Sequence, residues 1–199
     1  TITSAGTYPF THLSSFACTV EMWGPGGNSA NINSFSFGNS PATTFDGMSA
    51  GGGKSSAGAT GATGGTATGG DTNNNGASGG NGQNNTITNV IGGVGGSCPS
   101  GGAGGAQTVD SSLGSAVSGN SGTAPGGGGS GPCNFAGNGA GQAAIGGGGS
   151  GARLLKSILA GHFTANAALT IVVGSPPAVD APGTNGRSGT GAVGQFKIT

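Results

Sequence analysis

Charge is almost missing from this chain. Five Lys and Arg balance five Asp and Glu across 199 residues, leaving a net charge of zero and 5% charged positions. Nucleic-acid binding is therefore not expected, since phosphate recognition draws on clustered Lys and Arg. Long apolar runs are missing too. No stretch approaches the ~18 residues of a membrane span, so membrane insertion is not expected. Nothing near Thr1 has the form of a signal peptide's apolar segment. The chain also begins without Met, which reads as a processed product, a fragment or a visible portion.

Catalytic material is equally sparse. His12 and His162 are the only histidines, and their apolar neighbours give both a structural reading. Glu21, Asp46, Asp71, Asp110 and Asp180 have no paired spacing for acid–base work and no calcium-loop pattern. Lys54 follows Gly51-Gly52-Gly53 but lacks the first glycine of a phosphate loop. The expectation is a protein that is not an enzyme and holds no metal or cofactor.

What the chain has is glycine. It numbers 50, and 37 of these fall in residues 49–151. Large apolar side chains are so thinly spread in that block (Ile87, Val90, Ile91, Val94, Val109, Leu113, Val117, Phe135, Ile145) that burying them cannot offset the entropy of ordering it. A different force must hold the block, or it stays loose. Phase argues for order. Stepping by three from Gly52 meets glycine at Gly58, Gly61, Gly64, Gly70, Gly76, Gly79 and Gly82, and a second series runs Gly92, Gly95, Gly101, Gly104. Three residues per turn is the period of the polyproline II helix, which makes no internal hydrogen bonds and points its amides outward. Glycine lets such helices approach until their backbones bond to one another. Collagen shares the period but needs unbroken Gly-X-Y triplets and abundant proline, and residues 42–98 contain none. A flexible Gly/Ser linker accounts for the composition but not for the phase.

The ends read as β-structure. Cys18-Thr19-Val20-Glu21-Met22-Trp23 alternates and stops at Gly24-Pro25-Gly26-Gly27. Leu169 to Val173 is rich in branched residues, Gln195 to Ile198 closes the chain, and residues 1–10 supply a further strand. Residues 152–159 suit either a short helix or a strand, with strand preferred. The organisation expected is N-terminal framework strands in 1–27, a polar and aromatic loop in 28–48, a glycine block with variable loops in 49–151, and C-terminal framework strands in 152–199. The fold class is mostly irregular and all-β: a small sheet framework built from both termini, enclosing a polyglycine II bundle.

Loops between the glycine runs carry amides and rings suited to recognition without chemistry. The candidates are Phe35, Phe37, Phe45, Asn73, Asn74, Asn75, Asn84, Asn85, Asn134 and Phe135. Solvated turns are the plainer alternative, and the three phenylalanines of residues 35–45 are equally suited to burial in the framework. Cys18 sits on the apolar face of its strand, so it reads as a buried free thiol. Cys98 and Cys133 each lie beside proline among glycines. A disulfide between them would imply an oxidising, extracellular setting, with coincidence as the alternative.

The strand ending in Met22-Trp23-Gly24-Pro25-Gly26-Gly27, the glycine runs broken by dissimilar polar loops, Gly146 to Ala152, and Leu169 to Gly174 together resemble the glycine-rich domains of bacteriophage tail fibres. The middle block is similar to the distal adhesins of T-even-type phages, in which polyglycine II bundles present variable loops to the bacterial surface. Two departures stand out: no segment reads as the attachment domain that caps a fibre, and the chain opens directly on a strand. The resemblance implies a virion or extracellular protein whose partners are a bacterial surface receptor, protein or glycan, and other fibre subunits. Two other expectations stand beside it. One is a self-assembling filament whose terminal strands pair between copies. The other is ice binding, from Thr60, Thr63 and Thr66 at three-residue steps.

Overall fold

The computed structural model describes residues 1–11, 17–30, 32, 38–85, 89–111, 116–134, 143–178 and 187–199. Among these the chain is all-β, without a helix, in four small antiparallel sheets. In chain order the strands are β1 (Gly6–Thr11), β2 (Cys18–Trp23), β3 (Thr43–Phe45), β4 (Met48–Ala50) and β5 (Ala67–Thr68). Next come β6 (Thr72–Asn74), β7 (Gln83–Asn85), β8 (Asn89–Gly92), β9 (Thr108–Asp110) and β10 (Cys133–Asn134). The last four are β11 (Ala143–Ala144), β12 (Arg153–Ile158), β13 (Ala168–Val173) and β14 (Gln195–Ile198).

Two sheets form the framework, where the sequence pointed to one. Their orders are β1-β13-β3-β4-β5 and β14-β2-β12-β6. Alternation places Val20 and Met22 of β2, Leu154 and Ile158 of β12, Phe196 of β14 and Ile171 and Val173 of β13 in one shared core. Burial of these side chains is what holds this part together. The 152–159 segment is a strand, because pairing with β2 in the register Leu154↔Met22 decides between two local preferences. Residues 28–48 are not one loop. Thr43–Phe45 and Met48–Ala50 make a hairpin that turns at Asp46 and Gly47, both with positive φ (46° and 73°), as a two-residue Asp-Gly turn requires. That hairpin carries Phe45 inward, where its ring lies 5.2–5.8 Å from the rings of Phe10, Phe163 and Phe196 in edge-on contacts.

The glycine-rich segments run to and fro between this framework and the opposite end of the molecule, bonding to each other through the backbone. Segment 145–152 shows the rule. The N–H groups of Ile145, Gly148 and Gly151 donate to Pro132, Gly129 and Gly126; those of Gly146, Gly149 and Ala152 to Gly58, Lys54 and Gly51; those of Gly147 and Ser150 to Gly80 and Ala77. Its carbonyls accept from three other segments: from Ala62 and Gly65, from Gly93 and Gly96, and from Gly27 and Gly24. Donor partners therefore rotate with a period of three, and six neighbours surround the segment.

Segments 24–30, 126–132 and 145–151 are buried throughout and bond mutually, through Gly27 to Gly149 (2.8 Å), Gly148 to Gly129 (2.8 Å) and Gly129 to Gly27 (3.0 Å). At the glycines of this trio a side chain has no room. A Cβ on Gly149 would fall on the carbonyl of Thr63, and one on Gly147 on the carbonyl of Val94. Buried hydroxyls appear where they replace a backbone partner. Ser150 accepts from the Ala77 N–H and donates to the Ser97 carbonyl, at 2.8 and 2.9 Å. Ser56 likewise accepts from Ala30 N–H and donates to the Gly146 carbonyl, at 2.9 and 2.7 Å.

Candidate functional site

The end remote from the framework is defined by residues at one level along the segments. Gly146 bonds to Gly58, Gly82 to Ala59, Ile145 to Pro132, Gly131 to Gly93 and Gly119 to Arg187. The Asn28 amide reaches the Pro177 carbonyl at 2.9 Å. Two small sheets cap this end: β7-β8-β9 and the β10-β11 pair. They share a minor core of Val90, Cys133 and Ala144 with Val117 against it, and the Thr108 hydroxyl pins β9 to the Gly131 carbonyl at 2.6 Å. The sequence bounds of residues 31–37, 86–88, 112–115, 135–142 and 179–186 all meet described residues at this end: Ala30 and Gly38, Asn85 and Asn89, Ser111 and Ala116, Asn134 and Ala143, Ala178 and Arg187.

The candidate residues divide between the two ends. Asn84 lies exposed on β7, with Asn85 beside it in the backbone ladder, and Asn134 is half-buried on β10. Asn73 and Asn74 belong to the framework, paired through β6 with Leu154 and Arg153 of β12. Asn73 braces its own turn, accepting from Gly70 N–H (3.0 Å) and donating to the Gly70 carbonyl (2.9 Å). Asn75 accepts from Ala67 N–H at 3.2 Å. The side-chain amides of Asn73 and Asn75 thus bond to nearby backbone, and all three residues lie at the framework end, away from Asn84. Phe45 is corrected, being 1% exposed in the framework core. Phe35, Phe37 and Phe135 lie outside the described residues, as does His12.

The proposed disulfide is corrected as well, since Cys98 and Cys133 are both free thiols. Cys98 packs against Gly126 at the framework end and donates its S–H to the Gly151 carbonyl at 3.1 Å. Cys133 stands seven residues beyond Gly126 along the same extended segment, which at ~3 Å per residue puts the two roughly 20 Å apart, well past disulfide reach. Burial pushes the Cys98 thiol up to about 12, and it raises Cys133 and the half-buried free thiol of Cys18 in the same direction.

Ionic pairs gather at the framework. Arg153 donates to Glu21 (2.8 Å from Nε), Lys156 to Asp71 (2.7 Å), and His162 stands 2.9 Å from Asp46. His162 is in a turn region after β12 instead of a framework strand, edge-on to Phe163. The Lys156 ammonium and the Ser157 N–H hold the Asp71 carboxyl below its usual value. An apolar cleft of ≈ 200 Å³ opens here, lined by Thr1, Ile2, Phe10, Ile171, Phe196 and Ile198. At the remote end, among the described residues, Asp110 is buried and Arg187 is the exposed charge. No group of three or more His, Cys, Asp or Glu converges on a metal-sized site among the described residues, and no helix there is long and apolar enough to cross a membrane.

Two features escaped the sequence reading. Val94 and Val109 are 42% and 49% exposed on the β7-β8-β9 side, where nothing in their local pattern marks them as outward. The buried serines of the glycine segments read as linker composition, and only their positions relative to neighbouring segments reveal them as bonded parts. Comparison with protein-family models, curated proteins and solved structures finds no match.

Proposed function

We propose that the glycine segments are polyglycine II helices packed as a bundle, and that the chain is the receptor-binding adhesin of a phage tail fibre. The three-residue rotation of hydrogen-bond partners along 145–152 supports the first part, since a threefold helix turns each successive amide toward a different neighbour. One observation carries the second part. The chain leaves the described residues and re-enters them at the end away from the framework on either side of 86–88, 112–115, 135–142 and 179–186, whereas the turns at 69–71, 99–101 and 124–126 lie at the framework end. A rigid scaffold that gathers non-repetitive loops at one end is the arrangement of a recognition surface. The framework, with its apolar cleft, then faces the rest of the fibre. The partner is a bacterial surface protein or glycan, the location is the virion, and recognition involves no catalysis, metal or cofactor.

The filament reading needs an edge strand that accepts a neighbour. Of the two terminal edge strands, β1 carries Pro9, a residue that blocks such pairing, and β14 already meets Ile2 through a bridge at Phe196. The ice reading has its row: Thr60, Thr63 and Thr66 are all exposed, in single file on one segment.

Adsorption assays test the adhesin. Asn84→Ala with Asn134→Ala, and replacement of residues 135–142, should weaken binding of the chain to susceptible bacteria by about tenfold or more, as expected when contact residues are lost. Thr72→Ala at the framework should leave binding intact. Equal binding by all these folded variants would refute the reading.

A further inference from the structure

A hexagonal array of helices has no built-in limit to its growth, so an isolated bundle must stop itself. This argument rests on the bundle reading above. Segments 75–82, 92–97 and 102–106 lie side by side, joined by Gly80 to Val94 (2.8 Å) and Gly95 to Gly105 (3.0 Å). Beneath them run 145–151 and 126–132, reached through Ser150 to Ala77, Gly96 to Gly148 and Gly105 to Gly128. A row of three on a row of two makes a flat face. No charged residue lies on it.

On the first two of these segments every third amide has no protein acceptor among the described residues. In 75–82 the N–H groups of Gly76, Gly79, Gly80 and Gly82 are bonded to backbone carbonyls, while those of Ser78 and Asn81 are not. In 92–97 those of Gly93, Gly95 and Gly96 are bonded, while those of Val94 and Ser97 are not. On the third segment the same phase turns instead toward residues 120–123, Ala103 N–H donating to the Thr123 hydroxyl (2.7 Å) and the Ala106 carbonyl accepting from the Asn120 side-chain amide (3.0 Å). The face is thus the bundle's counterpart of an open sheet edge, a template for one more layer.

Side chains stand at those same positions. Ser78, Asn81, Val94 and Ser97 are all exposed, whereas the inward positions Gly79, Gly93 and Gly96 are glycine. The interior shows what a side chain does to such packing. A Cβ on Gly93 would fall on the Gly80 carbonyl, and one on Gly96 on the Ala77 carbonyl. We infer that this outward ladder of non-glycine residues is what ends the array, and that the flat face is a latent interface for a second copy of this chain, held closed by Cβ atoms alone. The second copy is the fitting occupant because the face is uncharged and presents the same donors and period that the interior uses between its own layers.

The test replaces the ladder with glycine: Ser78→Gly, Asn81→Gly, Val94→Gly and Ser97→Gly together. A control keeps every Cβ, with Ser78→Ala, Asn81→Ala, Val94→Ala and Ser97→Ala. Sedimentation equilibrium should show a rise of about twofold or more in mass for the glycine variant only, as for closed pairing of copies or larger assemblies. A folded glycine variant that stays monomeric, or an alanine control that associates equally, overturns the inference. Deuterium exchange on the wild type gives a second reading that needs no mutant. Amides of Ser78, Asn81, Val94 and Ser97 should exchange fast in dilute and concentrated samples alike, and protection on concentration would show the face already paired. Rapid exchange at Gly147 to Ser150 would instead remove the bundle itself, so the two failures are distinguishable.

Discussion

The framework and the glycine block solve the same problem with opposite materials. In the framework, Phe45, Phe163, Phe196, Met22 and Leu154 exclude water from a shared interior, and the hydrogen bonds of two sheets follow from that burial. In the block, segments 24–30, 126–132 and 145–151 are just as buried, yet 13 of their 21 residues are glycine and Ile145 is their one large aliphatic side chain. Their order comes from pairing amides that would cost ~1–3 kcal/mol each if left unsatisfied away from water. The difference teaches that the framework tolerates changes of shape better than the block does. An oily interior can repack, but a lattice of backbones in direct contact has no soft part to yield.

That contrast can be broken from either side, and the largest effect belongs to the block. Adding single methyl groups at its centre, as Gly147→Ala with Gly149→Ala, should prevent the block from folding, because each Cβ meets a main-chain carbonyl. Circular dichroism and thermal melts would read it, and a variant as stable as the wild type would end the argument. Phe45→Ala removes far more volume from the framework and should cost about 3–5 kcal/mol in denaturant unfolding, leaving the fold in place. Ser150→Ala comes next, at about 1–3 kcal/mol, since it strands the Ala77 N–H and the Ser97 carbonyl. Thr63→Ala, on the exposed row, should fall within about 0.5 kcal/mol of wild type.

Titration sharpens the comparison further. The native thiols should resist alkylation, with Cys98 slowest because burial holds it up to about 12, and denaturant should make all three react alike. Prompt labelling of Cys98 in the folded chain would show that the framework end of the block opens. The Asp71 carboxyl is depressed in the folded state, so its support for β12 is present above the ordinary carboxylate value and lost as pH falls through the lower folded one. Asp71→Asn should accordingly lower stability slightly at neutral pH, leave it nearly unchanged in acid, and so flatten the acid limb of the stability curve.

The framework was legible because its strands carry the ordinary two-residue alternation, and Val20, Met22 and Phe196 point where that alternation puts them. The hairpin of Thr43–Ala50 was missed, although Asp46-Gly47 is a turn signal, because the polar residues around it read as loop. Glycine's three-residue phase gave the existence of the block but not its neighbours, since Gly27, Gly129 and Gly149 are chemically identical and sequence spacing does not say which meets which. For the same reason Asn73 and Asn84 looked alike: both are polar residues between glycine runs, and only the direction of travel separates a framework turn from the remote end. The pairing of Cys98 with Cys133 failed on the same point.

Amide exchange resolved to single residues tests the central account most directly. Backbone amides of Gly146 to Ala152 and Gly127 to Gly131 should be protected at least as strongly as those of β2 and β12, although almost no apolar side chain covers them. If those glycine amides exchange within minutes while β2 and β12 stay protected, the order of the block does not come from backbones bonding to one another, and the account is wrong.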